Sequence, residues 1–375
     1  MTREQLIENV HASAARMVLA VTGGGAQAIA DLLAVPGASE SILEAIVPYS
    51  NASLQQFMGG SVDQACSERT ARSLAMAAFQ RAQFLTEPVS SDIVLGISCS
   101  AALATNRVKA GPHRAFVTVQ TERFTSTIAI DLNERSRNRR QEERIVADII
   151  LNQIANVSQV TQQLDVDLDT SCLTHEQIDA EPEWQQLVLA KQAKVCLGRK
   201  PRNPPETRRI LFPGAFDPRH SGHVQMAQHV KKTFGSVVEF ELSIENVDKP
   251  LLDYYSIANR LKQFGLNETI WLTRAPTFVQ KTLLFPNVTF IVGTDTILRI
   301  ADARYYKKEE EVFQAIKTIT GQGCRFLVFG RLLLDKFVTL SELSLPDELL
   351  AICEEVDPEA FRCDISSTEI RQGNL

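Results

Sequence analysis

The chain has 375 residues, with 44% hydrophobic and 22% charged side chains, a formal net charge of -6 and a pI near 5.7. That length favours two domains, and the acidic balance argues against a general nucleic-acid or membrane-surface binder. No run approaches the ~18 uninterrupted apolar residues of a membrane span, and the start of the sequence shows no signal core.

Leu6, Val10, Ala14 and Met17 recur at helical spacing and predict one helix over 4–20. Thr22-Gly23-Gly24-Gly25 breaks it, and a second helix is expected from Ala26 to Leu33. After the Pro36-Gly37 loop, a short helix (Ser39 to Glu44) and a short strand (Ile46 to Tyr49) follow. Ser67 to Arg81 reads as an alanine-rich helix, and Ile93 to Ile97 as a central strand. Ala115 to Gln120 and Phe124 to Ile130 read as neighbouring strands across a turn at Glu122-Arg123. A charged helix over Arg139 to Ile154 closes an α/β layer domain, 1–160.

Residues 161–207 are expected to connect, with one or two helices and a proline-stiffened end at Pro201, Pro204 and Pro205. Asp165, Asp167 and Asp169 lack the glycine and glutamate of a calcium loop. Over 208–375 short strands alternate with helices: strands at Ile210 to Phe212, Val237 to Ile244, Thr269 to Thr273, Thr289 to Val292 and Arg325 to Phe329. Helices are expected at His223 to Phe234, from an Asp253 cap to Phe264, at Thr277 to Leu284, and over most of the remainder. This pattern predicts an α/β chain whose second domain is a doubly wound, Rossmann-like parallel sheet. The seven cysteines are widely spaced and form no CxxC pair, which suggests reduced thiols in a cytoplasmic protein and no structural zinc.

Ligands of open parallel sheets sit beyond the carboxyl ends of the strands. Gly214, Phe216, Asp217, His220, Gly222 and His223 follow the first strand of the second domain. Glycines there permit close approach, the following helix offers free amides, and two imidazoles three residues apart can face a polyphosphate. A wet helix cap is the plain alternative, and a metal pair lacks a third ligand. Ile365 to Arg371 supplies Ser366, Ser367, Thr368 and Arg371; Ser366 with Glu369 also has capping-box spacing. Gly293 and Asp295 follow another strand, where Asp295 is an N-cap candidate. Trp271 and Thr273 end a strand and could line a pocket, with core packing the equal alternative for Trp271. Lys249, Arg304 and Arg331 are cations placed after strands or beside the same cleft, and Lys249 also reads as an ordinary surface lysine.

His220-Ser221-Gly222-His223, taken with Ile365 to Arg371, resembles the two signatures of the HxGH-type nucleotidyltransferases. The spelling is most similar to the nicotinate or nicotinamide mononucleotide adenylyltransferases, and the similarity covers about the last 165 residues. The resemblance implies adenylyl transfer from ATP with Mg²⁺ to a pyridine mononucleotide. A phosphate would attack the α-phosphorus directly, without a covalent enzyme intermediate. In that reading His220 holds the triphosphate, His223 stabilises the α-phosphoryl charge, and Ser366, Ser367, Thr368 and Arg371 meet the β- and γ-phosphates. Cytidylyl transfer and a non-catalytic ATP or NAD sensor remain open, because the loop from Glu245 to Pro250 departs from the family pattern.

Thr22-Gly23-Gly24, Val35 to Ser39 and Tyr49-Ser50-Asn51 look like successive motifs of the CinA carboxy-terminal domain family, over about 4–157. That family includes nicotinamide mononucleotide deamidases. Arg135, Arg139 and Arg140 resemble the arginines before its last helix, although 137–144 also reads as a solvated helix face. Ala20 stands where the active members carry serine, and Leu54 where they carry lysine. An alanine has no nucleophile to offer. Cys99 or Ser100 are the residues nearby that could replace it. The expectation is an inactive domain that binds a pyridine nucleotide or serves as a homo-oligomer scaffold.

Overall fold

The computed structural model describes residues 1–62, 64–86, 93–106, 111–133, 137–199, 208–305, 309–333 and 336–362. Ser366, Ser367, Thr368, Arg371 and Arg135 lie outside them. The chain divides into two compact units. The first is Met1–Val188 with Asp248–Ile257, and the second is Leu189–Val247 with Ala258–Leu375.

The first unit is built on six strands: β1 (Ala15–Thr22), β2 (Ile42–Ile46), β3 (Ile93–Ala102), β4 (Arg114–Gln120), β5 (Phe124–Asp131) and β6 (Leu173–Asp179). They lie in the order β2-β1-β3-β4-β5-β6, parallel at β2-β1-β3 and antiparallel from β3 onward. The single helix expected over 4–20 is instead the helix Arg3–His11 followed by β1. The reason is visible in the burial. Met17, Leu19 and Val21 enter the core formed with the helices Arg3–His11 and Arg139–Val157. Val18 and Ala20 enter the opposite core against Leu74, Ala78 and Ala82 of the helix Glu68–Leu85. A strand covered on both faces has no polar side, so its apolar run continues the helical spacing of the preceding residues.

Residues 161–207 were expected to connect through helices. The described ones also contribute β6 to the first sheet and β7 (Lys194–Gly198) to the second. The short strand expected at Ile46 to Tyr49 forms earlier, as β2.

The second unit adds β8 (Ile210–Pro213), β9 (Val238–Ser243), β10 (Thr269–Thr273), β11 (Thr289–Gly293), β12 (Arg325–Phe329) and β15 (Cys353–Glu355). Between the last two lie the three-residue strands β13 (Arg331–Leu333) and β14 (Lys336–Val338), which pair as a ribbon. The main sheet runs β15-β12-β11-β8-β9-β10-β7, parallel except where β7 pairs antiparallel with β10. The mostly helical ending expected after Phe329 is corrected among the described residues: three strands, a 3-10 turn at Leu340–Glu342 and the short helix Asp347–Leu350 occupy them. From β8 the chain first moves outward through β9 and β10, then returns to the other side as β11 and β12. The strand order therefore reverses between β8 and β11, where doubly wound sheets open their ligand crevice. No helix among the described residues is long and apolar enough to cross a membrane.

Candidate active site

The loop leaving β8 reaches the helix Ser221–Phe234, whose N-cap is His220. Gly214 donates its N–H to the carbonyl of Glu241 on β9 at 2.9 Å, which extends the sheet one residue past Pro213. Phe216 then takes a positive φ of 45° and buries its ring. That ring meets Phe212, Phe240, Phe264 and the imidazole of His223 at centroid distances of 5.8, 5.7, 5.2 and 5.1 Å. Asp217 pairs with Arg260 at 3.3 Å. The loop is thus anchored by an aromatic plug and an ion pair before it delivers the histidines.

His220 and His223 are both buried, with ring centroids 3.8 Å apart. The backbone N–H of His220 donates to Nδ1 of His223 at 3.2 Å. Nδ1 therefore acts as an acceptor, and the proton of a neutral imidazole belongs on Nε2. Burial, reinforced by the charges of His220, Arg331 and Arg219, pushes His223 down to about 3. His220 is lowered as well, by burial first and then by Arg331. At neutral pH the pair is uncharged and can donate hydrogen bonds without a counter-ion. His220 Nδ1 is buried and meets no hydrogen-bond partner among the described residues.

Across the switch point, Gly293 ends β11 and caps the helix Thr294–Ala301. A Cβ on Gly293 would meet the side-chain tips of Asp295 and Arg331, so both lie directly over this glycine. Arg331 Nε lies 3.9 Å from Asp295 Oδ1. The structure thus gathers Gly214, Phe216, Asp217, His220, Gly222 and His223 on one rim. Gly293, Asp295 and Arg331 stand on the other, with Arg331 within electrostatic reach of both imidazoles.

Other expected residues are engaged elsewhere. Trp271 Nε1 donates to Glu239 at 2.6 Å, and its ring packs on Phe285. Thr273 is fully buried and donates its hydroxyl to Glu241. Arg304 is exposed and pairs with Asp302 at 2.6 Å. Lys249 belongs to the segment Asp248–Ile257 of the first unit. Sequence reading passed over Arg219, Gln263 and Glu268, which brace the histidine loop. No sequence signal pointed to them, since the partners of Arg219 lie 44 and 49 residues away.

Residues 211–373 match the family model described as cytidylyltransferase-like. The second unit is nucleotidyltransferase-like. Solved structures are similar to this chain at low identity. The competence/damage inducible protein CihA from Agrobacterium tumefaciens is 14% identical, covering 43% of this chain and 96% of that one, with a TM-score of 0.33. A CinA superfamily protein from Escherichia coli is 16% identical over 42% of this chain and 90% of that one, again at 0.33. One from Enterobacter cloacae is 16% identical over 43% and 94%, with the same score. No curated protein matches.

The first unit holds a cavity of about 710 Å³ whose lining includes Gly23, Gly24, Tyr49, Arg139, Arg140 and Glu143. Gly23 has φ +76°, and a Cβ there would meet the Ala101 carbonyl at 1.9 Å. Thr22 beside it is buried. Arg139 donates to the carbonyls of Gly23 at 3.0 Å and Ala104 at 3.2 Å. Glu143 accepts from the N–H of Gln27 at 3.0 Å and so fills the amino end of the helix Ala26–Ala34. Ser50 caps the helix Asn51–Met58, of which Asn51 is the exposed first residue. Ala20 is fully buried in one hydrophobic cluster with Leu54 and Met58. Ser100 donates to Ala65 at 2.6 Å, and burial drives the Cys99 thiol well above its ordinary range. Neither is poised as a nucleophile.

Proposed function

We propose that the second unit transfers an adenylyl group from ATP to nicotinamide or nicotinate mononucleotide. A phosphate oxygen of the mononucleotide attacks the α-phosphorus, the bond to the bridging oxygen breaks, and pyrophosphate leaves as the dinucleotide forms. The observation that carries this reading is the neutral, buried His220–His223 pair at a helix amino end on the switch point of a parallel sheet. The Nε2–H of His223, a ring N–H of His220, the helix amino end and Arg331 supply donors where the transferred phosphoryl gathers charge. His223 serves the α-phosphoryl oxygens and His220 the triphosphate; for the terminal phosphates the resemblance points to Ser366, Ser367, Thr368 and Arg371, which lie outside the described residues.

These donors fit phosphate oxygens. Among the described residues no three His, Cys, Asp or Glu side chains gather around a metal position. Mg²⁺ bound through nucleotide phosphates needs only one or two carboxylates from a protein. Asp295 is the carboxylate this rim offers, and the ion's contribution when bound is to neutralise phosphate charge.

Cytidylyl transfer is the second reading, favoured by the description of the matching family. One assay separates the two: pyrophosphate release with Mg²⁺, using ATP or CTP against each pyridine mononucleotide, a phosphorylated alcohol, and no acceptor. The expected result is release with ATP and one pyridine mononucleotide. Release with CTP alone overturns the adenylyl assignment, and ATP binding without release under any combination points to a sensor.

In the first unit, we read the cavity as a deamidase-like site without its chemistry, which binds a pyridine nucleotide or scaffolds a homo-oligomer. Ala20 and Leu54, standing where the resembled family carries serine and lysine, are joined in a hydrophobic cluster. Restoring Ala20→Ser buries a hydroxyl there and should cost about 1–3 kcal/mol in urea unfolding, with no ammonia released from nicotinamide mononucleotide. Ammonia release by the wild-type chain would end this reading.

A further inference from the structure

We propose that Gln263 is a positioning residue for the histidine pair: its side-chain amide clamps the two ends of the turn that delivers His220. This rests on the reading of His220 and His223 as the phosphate-facing donors. The geometry is specific. Gln263 Nε2 donates to the carbonyl of Phe216 at 2.9 Å, and its Oε1 accepts the backbone N–H of Arg219 at 2.7 Å. One planar amide therefore spans the turn 216–219 and uses a donor and an acceptor at once. Phe216 sits at φ 45°, a conformation few side chains adopt unaided, and its carbonyl is held by this bond.

A second set of contacts fixes Arg219 from its other end. Its guanidinium donates to the Gln263 carbonyl at 2.9 Å and to both carboxylate oxygens of Glu268 at 2.8 and 2.6 Å. It also lies over the rings of Phe240 and Phe264, 4.7 and 4.5 Å from their centroids. Glu268 is oriented in turn by the N–H of Gly265 at 2.8 Å. Arg219 is thereby held at its amide and at its guanidinium, which leaves the peptide joining it to His220 little freedom to rotate. That peptide carries the N–H that donates to His223 Nδ1. The clamp thus sets which nitrogen of His223 bears the proton, and so which one faces substrate.

Gln263 touches no imidazole directly, so its effect should fall on turnover more than on nucleotide binding. Gln263→Met keeps the length of the side chain and removes both hydrogen bonds. In the full chain we expect kcat for pyrophosphate release to fall roughly tenfold to a hundredfold, because an error of about 1 Å in a reacting group costs up to that much. The nucleotide KM should change far less than kcat, because the donors gain most in the transition state.

The decisive readout needs no substrate. Long-range ¹H–¹⁵N correlation spectra of histidine-labelled protein should show His223 as the Nε2–H tautomer in wild type and as a mixture in Gln263→Met. A wild-type kcat together with an unchanged tautomer pattern overturns the clamp. If wild-type protein releases no pyrophosphate, the catalytic reading fails, and the spectra still judge the clamp. Should Gln263→Met not fold, Gln263→Glu keeps the acceptor for Arg219 and sets a carboxylate against the Phe216 carbonyl. It should shift kcat and tautomer in the same direction, and wild-type behaviour in it overturns the proposal equally.

Discussion

Replacing His223 by alanine should lower kcat by about 10²- to 10³-fold, the usual consequence of removing one preorganised donor to transition-state charge, while the nucleotide KM changes little. The asymmetry follows from the protonation state. An imidazole pushed down to about 3 is neutral at assay pH, so it contributes no ion pair to the bound ground state. Its Nε2–H gains most as charge builds on the phosphoryl oxygens. A stability measurement tests the same group independently. The folded state holds His223 far below its ordinary value, so between about pH 6.5 and 3 the unfolded chain binds the extra proton. Stability is then full above that window and falls as pH drops through it, by on the order of 1 kcal/mol per pH unit. His223→Gln, which cannot titrate, should flatten this part of the curve in urea titrations at pH 7 and 4.5. Turnover near wild type in the alanine variant would remove His223 from the reaction, and parallel pH curves would show that His223 is not depressed in the folded state.

The histidine pair was legible because everything that defines it is local. A glycine turn, a strand exit and a helix start fall within one short stretch, and the helix period alone puts both rings at one end. Strands β9, β10 and β12 were legible for a related reason: they are short apolar runs bounded by turn residues. β1 was not, since its two buried faces erase the alternation that marks a strand, and the spacing from Leu6 to Met17 ran on across the break. β13, β14 and β15 have three residues each, too few to establish any period. The brace formed by Gln263 and Glu268 was invisible for a different reason. It is a tertiary contact in which neither side chain carries a chemical signature, and only the packed sheet brings them to Arg219. Trp271 and Thr273 end a strand, where pocket lining and core packing look alike in sequence, and here both polar tips meet glutamates of the neighbouring strand.

Those glutamates lead to the second large effect. Glu241 is wholly buried on β9, and both its carboxylate oxygens accept from Lys281 at 2.7 Å. Thr273 donates to the same carboxylate. Replacing Lys281 by methionine keeps most of the volume and leaves a buried carboxylate facing a single hydroxyl. The expected loss is about 3–5 kcal/mol, because the cost is dominated by the uncompensated charge rather than by the missing contact. Removing both partners, as in Glu241→Leu with Lys281→Met, should recover most of it, since a buried ion pair contributes little beyond its own desolvation. Urea unfolding of wild type, the single variant and the pair gives the comparison. A single-variant loss below about 1 kcal/mol would mean that water reaches Glu241 and that the pair acts like a surface one. The backbone gives the result a bearing on function. The carbonyl of Glu241 accepts the N–H of Gly214, where the chain leaves β8 for the histidines. A carboxylate that pulls its strand toward solvent would disturb that hydrogen bond first. The single variant should therefore lose turnover at temperatures where it is still folded, and the double variant should regain it.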